Sequence, residues 1–245
     1  MSARWHKYSY SAQIEKRRSI MAVVLIIVSL VLVYSFVSTF FISTFLVQSS
    51  TMEPTVSSGD CLMFNLMYSN DTDHSSKFSL LTAPKRGDLV LIAPAYPKNN
   101  AFPVRALNSL VSFLTFQRFR PFDAKDTWGE RPLIRRLVAF PGDTVYMTKY
   151  TLYVKPAGET HFLSEFELSS TDYDIRIDDL PAGWNAGLPF SNSFTETTLG
   201  NDEFFALCDN RKASNDSRIW GPVSADRVKG KAILRYWPLN KFGRP

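Results

Sequence analysis

The sequence predicts a mostly β protein, with curled antiparallel sheets or a sandwich behind one N-terminal membrane helix. Three observations carry this. One apolar run is long enough to cross a bilayer. Beyond it, short apolar or alternating runs recur, and turn-forming clusters separate many of them. Nothing after the first run has the length and 3.6-residue period of a long helix. With 245 residues, the chain has room for one anchor and one good-sized domain. Hydrophobic content of 45% and charged content of 21% are ordinary for a folded protein and exclude global disorder.

The membrane helix comes first. No charged residue occurs from Ser19 to Val47, and Ile20 to Phe41 is nearly all apolar. About 20 such residues span the hydrocarbon core. Lys16-Arg17-Arg18 abut the N-terminal end, and the next basic residue is Lys77. The positive-inside rule therefore places residues 1–18 in the cytoplasm as a basic tail. It makes 19–47 a transmembrane signal anchor with its juxtamembrane segment, and puts 48–245 on the outer face. The run is longer than the 7–15 apolar residues of a cleavable signal, so an uncleaved anchor is expected. Of the net charge of +5, +4 lies in residues 1–41. The basic balance thus marks a membrane flank, and no nucleic-acid partner is expected.

The predicted strands are Leu89 to Ile92, Leu133 to Phe140, Thr144 to Met147, Thr151 to Val154, Glu203 to Leu207 and Ala232 to Tyr236. Arg86-Gly87-Asp88, Pro141-Gly142-Asp143 and Gly200-Asn201-Asp202 supply turns. Residues 66–84 are polar and read as an inserted loop. Residues 101–122 read as a second insertion: Leu107, Leu110, Val111 and Leu114 have helical spacing, and Arg105, Arg118 and Arg120 lie alongside. This composition suits a helix lying on the membrane interface or against a partner rather than on the β domain. Residues 155–202 read as a peripheral β subdomain with no chemistry of its own. Cys61 and Cys208 are too few for a disulfide framework and read as buried small hydrophobes. His6, His74 and His161 fall in no metal-ligand spacing, and neither metal nor cofactor is expected. Asn70-Asp71-Thr72 and Asn215-Asp216-Ser217 fit the short glycosylation pattern, which is common by chance.

Four motifs follow the anchor in order. They are Ser49-Ser50-Thr51-Met52-Glu53-Pro54-Thr55, Arg86-Gly87-Asp88-Leu89-Val90, Arg135-Arg136-Leu137-Val138-Ala139-Phe140-Pro141-Gly142-Asp143, and Asp209-Asn210-Arg211 running through Ser214 and Asp216-Ser217-Arg218 to Gly221. Together they resemble the type I signal peptidases, membrane proteases with a Ser/Lys dyad that cut signal peptides from exported preproteins. In register with Met52 and Pro54, the resemblance puts the nucleophile position at Thr51 and an oxyanion-assisting hydroxyl at Ser49. In register with Pro141-Gly142-Asp143, it puts the general base position at Arg135, with Arg136 the basic residue that follows. It further implies supporting places for Asp209 and Arg211, a hydrogen bond from Ser214 to the base, and an ion pair between Asp216 and Arg218.

Both dyad positions depart from the family's serine and lysine. Threonine keeps a hydroxyl, but its β-branch restricts χ1 in a crowded site. The change at 135 is graver, because a guanidinium has no acceptor lone pair and stays charged. A buried charge there needs a carboxylate, for which Glu53 is the expected candidate. Cys208 stands where the family has glycine. The resemblance, with these departures, implies a member that binds signal peptides but whose cleavage chemistry is lost or altered. The alternative is an active leader endopeptidase using Thr51 with an unidentified base. The partners implied are signal peptides of preproteins, membrane lipid and an active signal peptidase paralogue, at a plasma or mitochondrial inner membrane.

Overall fold

The structure is a computed structural model that describes residues 10–40, 42–66, 84–94, 104, 107, 111, 115, 132–177, 193–213 and 215–245. Helix α1 (Tyr10–Phe40) is 31 residues long. Within it Gln13–Tyr34 is long and apolar enough to cross a membrane. Its described side chains from Leu25 to Leu30 are exposed, which suits a lipid environment and no protein core.

The remainder is built on strands. A seven-stranded sheet has the order β1 (Ile42–Leu46), β2 (Cys61–Asn65), β11 (Val228–Trp237), β3 (Leu89–Ile92), β4 (Leu133–Ala139), β9 (Glu203–Leu207), β10 (Val223–Ser224). A four-stranded sheet has the order β7 (Leu163–Ser164), β6 (Thr151–Lys155), β5 (Thr144–Thr148), β8 (Phe194–Thr198). Every pairing between these described strands is antiparallel. Register shifts interrupt β11 against β2 and β3, and β4 against β9. Such bulges bend a strand and increase its twist, so they curl the larger sheet. Gly230 lies at one of these places, where a Cβ would come 2.3 Å from the carbonyl oxygen of Asn65.

The six predicted strands are all present, with β11 extended toward the N-terminus. The others escaped the sequence reading for identifiable reasons. β1 continues the apolar run of α1 without a break in composition. β8 is an edge strand with four of its five residues exposed, so it carries no buried alternation. All four residues of β3 are buried because both faces of the sheet are covered there. Leu89 and Leu91 pack with Met52, Val56 and Phe64 on one side. Val90 and Ile92 pack with Leu137, Ala206 and Val228 on the other. A third cluster joins the two sheets: Val138 and Leu207 of the larger meet Val145, Met147, Leu152 and Val154 of the smaller. Both cysteines are buried, as the sequence suggested.

Val104, Leu107 and Val111 are helical, and the Thr115 amide donates to the Val111 carbonyl at 3.0 Å. Leu107 is exposed. Leu110 and Leu114, the rest of the expected stripe, lie outside the described residues, as do residues 67–83 and Ser214.

Candidate active site

The site grows from two adjacent arginines on β4. Consecutive strand residues face opposite sides of a sheet, so Arg135 and Arg136 must diverge. Arg136 lies opposite Leu89 of β3, and Arg135 opposite Val90.

Arg136 makes a buried bidentate pair with Asp209. Its Nε donates to Oδ1 at 2.7 Å and its Nη2 to Oδ2 at 2.5 Å. The side chains are 3% and 0% exposed. The Thr55 hydroxyl accepts from Arg136 Nη2 at 3.0 Å and donates to Asp209 Oδ2 at 2.5 Å. The ring of Tyr173 covers the guanidinium, 3.9 Å from Cζ to the centroid. Arg136 Nη1 also donates to the carbonyl of Gly87. Gly87 has φ +89°, and a Cβ there would collide with Ser169. This cluster fastens the segment around Thr51 to the centre of the sheet. Met52, 1% exposed, adds an apolar anchor beside it.

On that support stand three polar side chains. Ser49 Oγ and Thr51 Oγ1 are 2.9 Å apart. Arg135 Nη1 points at Thr51 Oγ1 from 3.4 Å. The structure therefore brings together the three residues that the resemblance gives to nucleophile, oxyanion and base. Arg135 is only 3% exposed. Its Nε donates to the Asn215 carbonyl at 2.7 Å and its Nη1 to the Ile134 carbonyl at 2.5 Å. The expected carboxylate partner is a correction: Glu53 pairs with Arg176 at 3.0 Å, and among the described residues no carboxylate pairs with Arg135. Its described acceptors are two backbone carbonyls and the Thr51 hydroxyl.

The segment after β9 encloses the site. The Asn210 amide donates to the Thr51 carbonyl at 3.0 Å, and its side-chain Nδ2 to the Ser50 carbonyl at 3.2 Å. Asp216 and Arg218 form the expected ion pair, with Nε to Oδ1 at 2.9 Å and Nη2 to Oδ2 at 2.8 Å. Asp216 also caps the four-residue helix α2 (Ser217–Trp220) through the Arg218 amide and accepts from the Cys208 amide. Burial alone would raise the Asp216 carboxyl. The Arg218 guanidinium and these two amides outweigh it and hold the carboxyl below its ordinary range. Arg218 Nη1 reaches the Arg211 carbonyl at 2.8 Å, so the pair also closes the loop that carries Asn215.

Cys208, where the resemblance expects glycine, is fully buried, with its Sγ 3.8 Å from the Asn215 carbonyl. Burial is the main cause that pushes its thiol up to about 12. It is therefore no nucleophile at neutral pH, although it neighbours Arg135.

Sequence reading missed the support supplied by residues 155–177. Glu165 opens the short helix α3 (Glu165–Leu168) and pairs with Arg211 at 2.5 Å, both side chains being 0% exposed. The Tyr173 hydroxyl donates to the same carboxylate at 2.7 Å. Burial, then the Glu165 charge, raises the Tyr173 phenol. Far from lacking a role, this stretch holds Arg211, Arg136 and Glu53 in place. One signal was present in the sequence: Ser164-x-x-Glu167 is a capping box that marks the start of α3. Among the described residues, no group of three His, Cys, Asp or Glu is placed to hold a metal ion.

Comparison with known proteins places the chain in a family. Residues 20–237 match the family described as signal peptidase, peptidase S26. Signal peptidase IB of Staphylococcus aureus is 32% identical over 114 residues, 44% of this chain and 55% of that protein. The chain thus spans about half the length of the S. aureus relatives it matches. Signal peptidase I of Leptolyngbya laminosa is 25% identical over 209 residues, 84% of this chain and 74% of that protein. A signal peptidase I crystal structure from Enterococcus faecalis V583 is similar with a TM-score of 0.32 at 21% identity, over 60% of this chain and 95% of that one. The chain belongs to the signal peptidase family, peptidase S26.

Proposed function

We propose that this protein receives the signal peptides of exported preproteins at the outer face of a membrane, with its cleavage chemistry lost or altered. Family membership and the candidate membrane helix support the setting. The basic residues Lys16-Arg17-Arg18 support an N-terminus inside. Partners of such a protein are signal peptides, membrane lipid and an active signal peptidase.

The observation that carries the loss of chemistry is Arg135, buried and donating toward Thr51 Oγ1. Hydroxyl attack on a peptide needs a neutral amine, or another base, to accept the hydroxyl proton. The guanidinium offers only N–H groups, so the polarity of the contact is the reverse of what a dyad needs. Among the described residues, the other side chain that meets Thr51 Oγ1 is Ser49, whose hydroxyl is not a base at neutral pH.

The test is cleavage of a standard preprotein by the detergent-purified protein, beside Thr51→Ser/Arg135→Lys. We expect cleavage by the double variant only. Cleavage by the natural protein that Thr51→Ala abolishes would instead establish Thr51 as nucleophile with another base.

A further inference from the structure

Arg135 poses an electrostatic problem that no carboxylate among the described residues solves. A cation almost sealed from water is costly unless an anion compensates it, and its described partners are two carbonyls and a hydroxyl. The carbonyl bonds fix the plane of the guanidinium. The bond to Thr51 is long at 3.4 Å, and Nη2 has no hydrogen-bond partner among the described residues. Three of the five N–H groups are thus weakly used or unused among the described residues. Beside them, the Ser49 and Thr51 hydroxyls are 2.9 Å apart, Ser49 exposed and Thr51 half-buried. Each can turn its proton outward as a donor.

Charged fork, two hydroxyls and a missing anion together describe a receptor for a carboxylate. We infer that Arg135, Thr51 and Ser49 form a carboxylate site that holds the free C-terminal carboxylate of an already cut signal peptide. This rests on the reading of the protein as a receiver of signal peptides. The place where an active relative would hold the scissile carbonyl here holds the end of a finished product. An uncut preprotein presents an uncharged amide there and leaves the cation uncompensated. The substitutions that remove cleavage would therefore turn the preference from precursor to product.

The experiment measures binding of a fluorescent peptide with an apolar core and an Ala-x-Ala end to the full chain in detergent. One form ends in a free acid and one in a carboxamide. A third is the carboxamide with its last residue changed to Asp, which moves the carboxylate to a side chain. The free acid is expected to bind roughly 10- to 100-fold tighter than the amide, the range of a charge-assisted hydrogen bond. The ratio falls toward one in Arg135→Gln, and to an intermediate value in Thr51→Val, which keeps the fold if the glutamine variant does not. Acid and amide binding equally well would overturn the proposal while leaving the protein a receiver of signal peptides. No binding of any form would overturn both. Tightest binding of the Asp form would show a side-chain carboxylate, not a cut terminus, as the anion, and would overturn the assignment to product.

Discussion

At the scale of single residues, the same guanidinium chemistry yields two opposite results on neighbouring positions. Arg136 has a carboxylate, a hydroxyl, a carbonyl and a ring face around it, and acts as a rivet. Arg135 has no carboxylate among the described residues and faces the Thr51 hydroxyl. Cys208 shows how burial silences a reactive group. With its thiol pushed from 9.0 to about 12, it carries about a thousandfold less thiolate at pH 8 than an ordinary cysteine. Iodoacetamide is therefore expected to label it only after denaturation; rapid labelling of the native protein would contradict its burial. The sign for stability follows. The unfolded thiol ionises first as pH rises, so the stability associated with the neutral buried thiol is whole below pH 9 and is lost toward pH 12. Cys208→Ala should flatten that alkaline limb in urea titrations.

The element scale is governed by short pieces whose value lies in what they hold. Helix α3 is four residues long and could not persist alone. Its capping box and the burial of Glu165 fix it beside β6, where Glu165 also accepts the Leu152 amide at 3.0 Å. Removing one member of a fully buried pair leaves the other charge uncompensated, at a cost of about 3–5 kcal/mol. Glu165→Ala is accordingly expected to destabilise far more than Ser164→Ala, which removes an exposed cap worth about 1 kcal/mol. Denaturant midpoints of the two variants measure this; equal shifts would mean that Arg211 finds another anion. The strands with strong apolar runs, β3, β4 and β9, were legible in the sequence because buried strands must be apolar. Polar β8 and the support around Glu165 were not, since an exposed edge and a distant ion pair leave no local pattern.

Across the whole molecule, the two sheets behave as one body because a shared cluster unites them. Leu152 is fully buried in this cluster, which has members from both sheets. Leu152→Ala should cost about 2–5 kcal/mol through lost burial and the cavity left behind. It should do so in a single transition seen by every probe. Two separated transitions would show that the sheets unfold independently.

The sequence by itself determined the apolar helix, most of the sheet and the family, because hydrophobic runs and contiguous motifs are local properties. It also determined the identity of the groups at positions 51 and 135, and hence that the side chain at 135 offers no proton acceptor. Only the tertiary structure decided what surrounds them. Glu53 goes to Arg176, not to Arg135, and Asn215 contributes a backbone carbonyl that no side-chain pattern announces. Tyr173 comes from a stretch without apparent chemistry to cover Arg136. These contacts join residues 80 or more positions apart in the Arg135–Asn215 and Glu53–Arg176 cases, and strand pairing, not local composition, sets which groups meet.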